Sequence, residues 1–114
     1  MDRKKELKEM YKQIKPQMGL VIVRSKNNDK FLTEATKNLK GKINSMKFQL
    51  KAGVHTNKKL QAEWNIKGKD EFIIEILDYL EYDKDERKTD YREDLKLLKS
   101  IYEEKMLKEG LSSY

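Results

Sequence analysis

With 114 residues and a formal net charge of +6, the chain is long enough for one modest core and too short for two. Charged residues make up 40% and hydrophobic ones 37%, so the apolar supply has to be concentrated on helix stripes and short strands. Cysteine is absent, which excludes disulfides and thiolate chemistry; no apolar run is long enough to span a bilayer and the first residues do not read as a signal peptide, so a cytoplasmic protein away from membranes is expected.

Taken from its start, the chain offers Asp2 as the cap of a helix over residues 1–16, with Leu7, Met10, Tyr11 and Ile14 at helical spacing and Pro16 as its stop. Gly19, Leu20, Val21, Ile22 and Val23 then predict a buried strand. The polar cluster from Ser25 to Asp29 has the composition of a hairpin loop, and residues 30–35 return as a second strand. Glu34 near the end of this strand predicts a place at a sheet edge. From Lys37 the period becomes helical, because Leu39, Ile43, Met46 and Leu50 share one stripe while Lys40, Lys47 and Lys51 lie off it.

Residues 53–77 combine a helix start, a helix stop and a strand. Thr56 or Asn57 can cap a helix that turns Leu60 and Trp64 inward, and Gly68 ends it. Phe72, Ile73, Ile74, Ile76 and Leu77 place apolar side chains on both faces, which predicts a central strand with helices above and below. Residues 78–88 read as a charged connection. Asp90 and Glu93 have capping-box spacing before a long helix whose apolar face carries Leu95, Leu97, Leu98, Ile101, Tyr102, Met106 and Leu107. Gly110 is the expected stop, with a frayed end after it. The expected organisation is one α+β domain, with an N-terminal helix over residues 1–16, a core over 17–109 and a tail over 110–114.

Charge is distributed unevenly. Residues 1–69 carry 18 basic and 6 acidic side chains, and residues 70–114 carry 8 basic and 14 acidic. Oppositely charged portions of a small domain can simply attract each other, or the basic portion can face a phosphate backbone. Lysine far outnumbers arginine, which suits a general polyanion contact better than base-specific reading. The candidate contacts are Lys37, Lys40, Lys42, Lys47, Lys51, Lys58 and Lys59, joined by His55 and Asn57 at a helix start. As the only histidine, His55 cannot belong to a histidine pair in a monomer; it either shapes the turn or contacts phosphate. Trp64 and Tyr102 read as core residues or partner surface, and the tyrosines do not interleave with the lysines.

The segment NLKGKIN from Asn38 to Asn44, together with HTNKKLQAEWNIKG before EFIIEIL and Gly19 opening a strand, resembles the GIY-YIG nuclease superfamily, in particular its small stand-alone members. The resemblance covers residues 18–105 and is most specific from His55 to Gly68. It implies a small three-stranded antiparallel sheet flanked by helices, with a long C-terminal helix. It also implies metal-dependent cleavage of a DNA phosphodiester by two strand tyrosines, a helix arginine and a metal-holding glutamate. In this chain the tyrosine positions hold Val21 and Leu32, Glu34 stands where a glycine is expected, Lys42 replaces the arginine, and Leu97 or Leu98 stands in place of the glutamate. Lysine keeps the charge and loses the planar fork that grips two phosphate oxygens.

An enzyme is therefore not expected, and no catalytic residue, metal ligand or cofactor is assigned. Loss of the cation's anchor alone removes several kcal/mol of transition-state stabilisation. The functional expectation is a non-catalytic module that binds nucleic acid, DNA foremost, through its lysine-rich face. The alternative is a structural or regulatory interaction module, with a homodimer formed through the apolar excess of the last helix. An active endonuclease using Mg²⁺ or Mn²⁺ is the third reading.

Overall fold

The computed structural model describes residues 15–114, and the helix expected over residues 1–16 falls outside them save its last two positions. The described residues form an α+β domain around a four-stranded mixed sheet. Its strands are β1 (Met18–Ser25), β2 (Lys30–Thr36), β3 (Phe72–Leu80) and β4 (Ser112–Ser113). The helices are α1 (Leu39–Ala52), α2 (Lys58–Lys67) and α3 (Arg92–Lys108). No helix among the described residues is long and apolar enough to cross a membrane.

The strand order is β3-β1-β2-β4, with β1 antiparallel to both β2 and β3. Side-chain alternation sends Val21 and Val23 of β1 toward α1 and α2, where Leu39, Met46, Leu50, Leu60 and Phe72 complete one core cluster. Ile22 points the other way and meets Phe31 and Met106, while Met18 meets Tyr91 and Leu95. Helices thus cover both faces of the sheet, and α3 lies across it from α1.

Two strand positions differ from expectation: β2, expected at an edge, lies between β1 and β4, and β3, expected at the centre, lies outermost. The central strand is β1, buried at every residue but Arg24, and β3 is an edge. The run Phe72–Leu77 looks two-faced because of a bulge: Val21 pairs with Ile76 and Leu20 with Asp78, which leaves Leu77 as an extra residue. Phe72, Ile74 and Ile76 face the α1 layer, whereas Leu77 packs beside Ile22 and Asp78 accepts a hydrogen bond from the Tyr102 hydroxyl of α3. Before the bulge the second face of β3 stays open, with Ile73 and Glu75 exposed. The strand continues through Leu80, taking three residues from the expected connection.

The last residues are not frayed. Ser112 donates its N–H to the Asp29 carbonyl at 2.7 Å, Tyr114 donates to the Phe31 carbonyl at 2.9 Å, and β4 runs parallel to β2. The sheet therefore has a fourth strand beyond the three expected. Tyr114 packs on the first core cluster and Leu111 on the third, so burial of these side chains offsets the entropy of ordering the tail.

Local signals set most helix ends. Asn38 Oδ1 accepts the Gly41 N–H at 3.0 Å, Asn57 Oδ1 accepts that of Leu60 at 3.1 Å, and Gly53 closes α1 in the left-handed region at φ 79°. The capping box expected at Asp90 does not form. Tyr91 is buried and cements α3 to Met18, so the helix starts at Arg92, while Asp90 accepts hydrogen bonds from the Arg92 N–H and guanidinium.

At Gly19 the backbones of β1 and β3 come close. A Cβ there would sit 2.1 Å from the Asp78 carbonyl oxygen and 2.8 Å from Tyr79 Cα. Both neighbours are main chain, so neither can rotate away. Gly19→Ala is expected to cost about 1–3 kcal/mol of unfolding free energy as the strands part to admit the methyl group. A lowered denaturant midpoint at an unchanged slope would report it, and an unchanged midpoint would contradict it.

Candidate nucleic-acid interface

The candidate contacts fall into three settings, following from where helical periodicity puts each side chain. With Leu39, Ile43, Met46 and Leu50 turned to the sheet, Lys40, Asn44, Lys47 and Lys51 recur at i, i+4, i+7 and i+11 along one flank of α1. Lys40, Lys47 and Lys51 are exposed, and none has a carboxylate partner among the described residues. The three span about 16 Å along the helix. At the N-terminal end of this flank lies an open cleft of about 660 Å³, where Asn38, Lys40, Ile43 and Asn44 face Ile76 of β3 and Gln17.

Lys42 sits on the opposite flank. Its ammonium lies 2.5 Å from Glu34 of β2, an ion pair that is partly sheltered. Lys37 is also engaged, donating to the Thr89 carbonyl at 3.0 Å and lying over the Tyr91 ring. These two cations serve the fold.

The third setting is the start of α2. Lys58 and Lys59 are exposed in a first turn that holds no acidic residue, where positive charge opposes the helix dipole. Asn57 and His55, singled out beside them, are committed to the backbone. Asn57 caps α2 and also donates its side-chain amide to the Tyr114 carbonyl at 3.5 Å. His55 is 6% exposed, and its Nδ1 accepts the Asn57 N–H at 3.0 Å, which requires the ring proton on Nε2. The His55 N–H donates to Gln61 Oε1, and Gln61 Nε2 donates to the Leu50 carbonyl, tying the turn to the end of α1.

Burial pushes the His55 pKa below 6.5; the nearby Glu34 carboxylate pulls it upward and the Lys42 ammonium pushes it down. A folded-state pKa below the unfolded value means that the unfolded chain takes the proton first. The contribution is therefore complete above pH 6.5 and is lost as acidity increases toward the folded pKa. Stability is expected to start declining as pH falls through 6.5, and His55→Asn, which keeps an acceptor for the Asn57 N–H, is expected to remove that early decline. Thermal denaturation from pH 8 to pH 5 would check this; identical profiles would remove His55 as the cause.

The positions matched to the nuclease motifs do not converge on one pocket. Val21 is fully buried in the first core cluster and Leu32 packs against that cluster. Leu97 is 63% exposed on α3, across the sheet from Lys42, and Leu98 is half-buried beside it. Glu93 is exposed. Among the described residues no group of three or more His, Cys, Asp or Glu side chains comes together in a way that could hold a metal ion.

Trp64 stacks at a tilt on Phe72, ring centroids 5.3 Å apart, and completes the core above β3. The aromatic residue that sequence reading passed over is Phe48, which is 69% exposed on α1. Its signal was available: Phe48 lies half a turn away from the stripe that Leu39, Ile43, Met46 and Leu50 define. Compared with known proteins, the chain matches no family model, no curated protein and no solved structure.

Proposed function

We propose that the protein is a non-catalytic nucleic-acid-binding module, a GIY-YIG-like domain whose nuclease site has been lost, and that it holds phosphate through the lysine flank of α1. The observation that carries this reading is the run of Lys40, Lys47 and Lys51, exposed on one flank with no carboxylate partner among the described residues. Several other cations are ion-paired, Lys42 with Glu34, Lys67 with Glu63, Lys88 with Asp94 and Lys99 with Glu103, whereas these three recur along a single helix flank. An unpaired row of ammonium groups repels itself, and an incoming polyanion relieves that repulsion and releases its own counterions.

The antiparallel β3-β1-β2 portion of the sheet, with helices on both faces, agrees with the fold that the resemblance implies. Val21 and Leu32, in place of the tyrosines, help fill the core, and Lys42 is neutralised by Glu34. The polar groups that phosphodiester cleavage demands are absent from those positions, so binding is the chemistry that the surface supports.

The test is the salt dependence of binding. Anisotropy of a labelled oligonucleotide across a salt series is expected to give a linear log–log slope, and Lys47→Glu or Lys51→Glu should each flatten it by about 1. Lys42→Gln, which removes a cation already paired with Glu34, should leave the slope unchanged. Equal slopes for all variants, or no binding at low salt, would overturn the reading.

A second reading has its own observation. Leu97 and Ile101 lie one turn apart on the outward side of α3, 63% and 53% exposed, which supports self-association through this helix. Light scattering over a concentration series is expected to show a mass that rises with concentration and becomes monomeric in Leu97→Lys. A monomer throughout would dismiss it.

A further inference from the structure

We infer that Phe48 is a stacking platform for a nucleobase, so that the outer face of α1 is built for single-stranded rather than duplex nucleic acid. The inference rests on the binding function proposed above and names its substrate class.

Phe48 lies beside the lysine row, one turn from Lys51 on the helix surface, and turns away from the sheet. Its helical neighbours on the other sides are Asn44, Ser45 and Ala52, all short and uncharged. The ring is 69% exposed, and among the described residues it belongs to none of the three core clusters. Nothing local asks for an aromatic residue at this position: phenylalanine is a poorer helix former than alanine or lysine, and its apolar surface stays in water.

The pairing of one bare ring with a row of free cations matches the chemistry of a single strand. Such a strand exposes the faces of its bases, and stacking on an aromatic side chain is tolerant of base identity. In a duplex those faces are already stacked on each other, and the ring would meet only backbone and groove. The lysine row, about 16 Å long, can run beside a few nucleotides of one strand. A bilayer is a poorer match, because the broad apolar face of α1 is turned to the sheet and leaves a single ring outside. A protein partner fits less well than nucleic acid, since lysine is depleted at the centres of protein interfaces.

The experiment compares Phe48→Ala, Phe48→Trp and Lys47→Glu with the unaltered chain. The probes are a labelled oligothymidylate, a labelled duplex of equal charge and phosphatidylserine vesicles. Phe48→Ala is expected to weaken single-strand binding about tenfold while leaving duplex affinity within about twofold. Phe48→Trp is expected to retain single-strand binding, and its emission should be quenched on addition of oligothymidylate beyond any change from Trp64 alone. If both oligonucleotides bind and respond to Lys47→Glu while Phe48→Ala changes neither, the stacking role is wrong and the phosphate-binding face stands. If neither oligonucleotide binds, both fall. Phe48-dependent binding to vesicles without oligonucleotide binding would assign the face to lipid and overturn both.

Discussion

The structure depends on burying β1 on both faces and along both edges. Met18 to Val23 are six consecutive buried residues, which a chain with so little apolar material can achieve only by placing helices on either side. Alternation along this strand then divides the core. Val21 and Val23 organise the layer of α1 and α2, whereas Met18 and Ile22 organise the layer of α3. The close approach at Gly19 and the extra residue Leu77 follow from the same demand. One allows β3 to lie against β1, and the other switches the inward face of β3 from the first layer to the second.

The tail joins these layers. Leu111 packs beneath α3 and Tyr114 packs over the hairpin end, so four residues bridge the two sides of the sheet. The Tyr114 hydroxyl is buried beside the Ser25 hydroxyl, with Glu63 and Asn28 around it. Burial, with Glu63 nearby, raises the Tyr114 pKa, so the phenol stays neutral. The ring contributes most of the tail's hold through its apolar area.

Helices α1 and α2 were legible because they carry their own boundary chemistry. Asn57 and Gly68 bracket α2, and the stripe from Leu39 to Leu50 identifies the inward face of α1. Strand order was not legible, since β1 and β3 are both rich in β-branched residues and only non-local pairing decides which lies between neighbours. The bulge misled for a related reason: Ile76 and Leu77 do face opposite layers, but only because Leu77 is an inserted residue, not because the whole strand is covered on both sides. The tail was unreadable because two serines give no strand signal, and Tyr114 gains its place from contacts with residues more than fifty positions away. At Asp90 the expected capping box gave way to burial of the adjacent Tyr91.

The same distinction governs the surface. A lysine count treats Lys42 and Lys47 as equals, yet five positions on a helix turn them to different flanks, one onto Glu34 and the other into solvent. Net charge measures how strongly the domain draws a polyanion from a distance; pairing decides which cations are left to hold it on arrival. His55 and Asn57 illustrate the converse, since groups well suited to phosphate are withdrawn when the backbone needs their acceptors first. What remains exposed and uncommitted on α1 is a row of ammonium groups with an aromatic ring beside it.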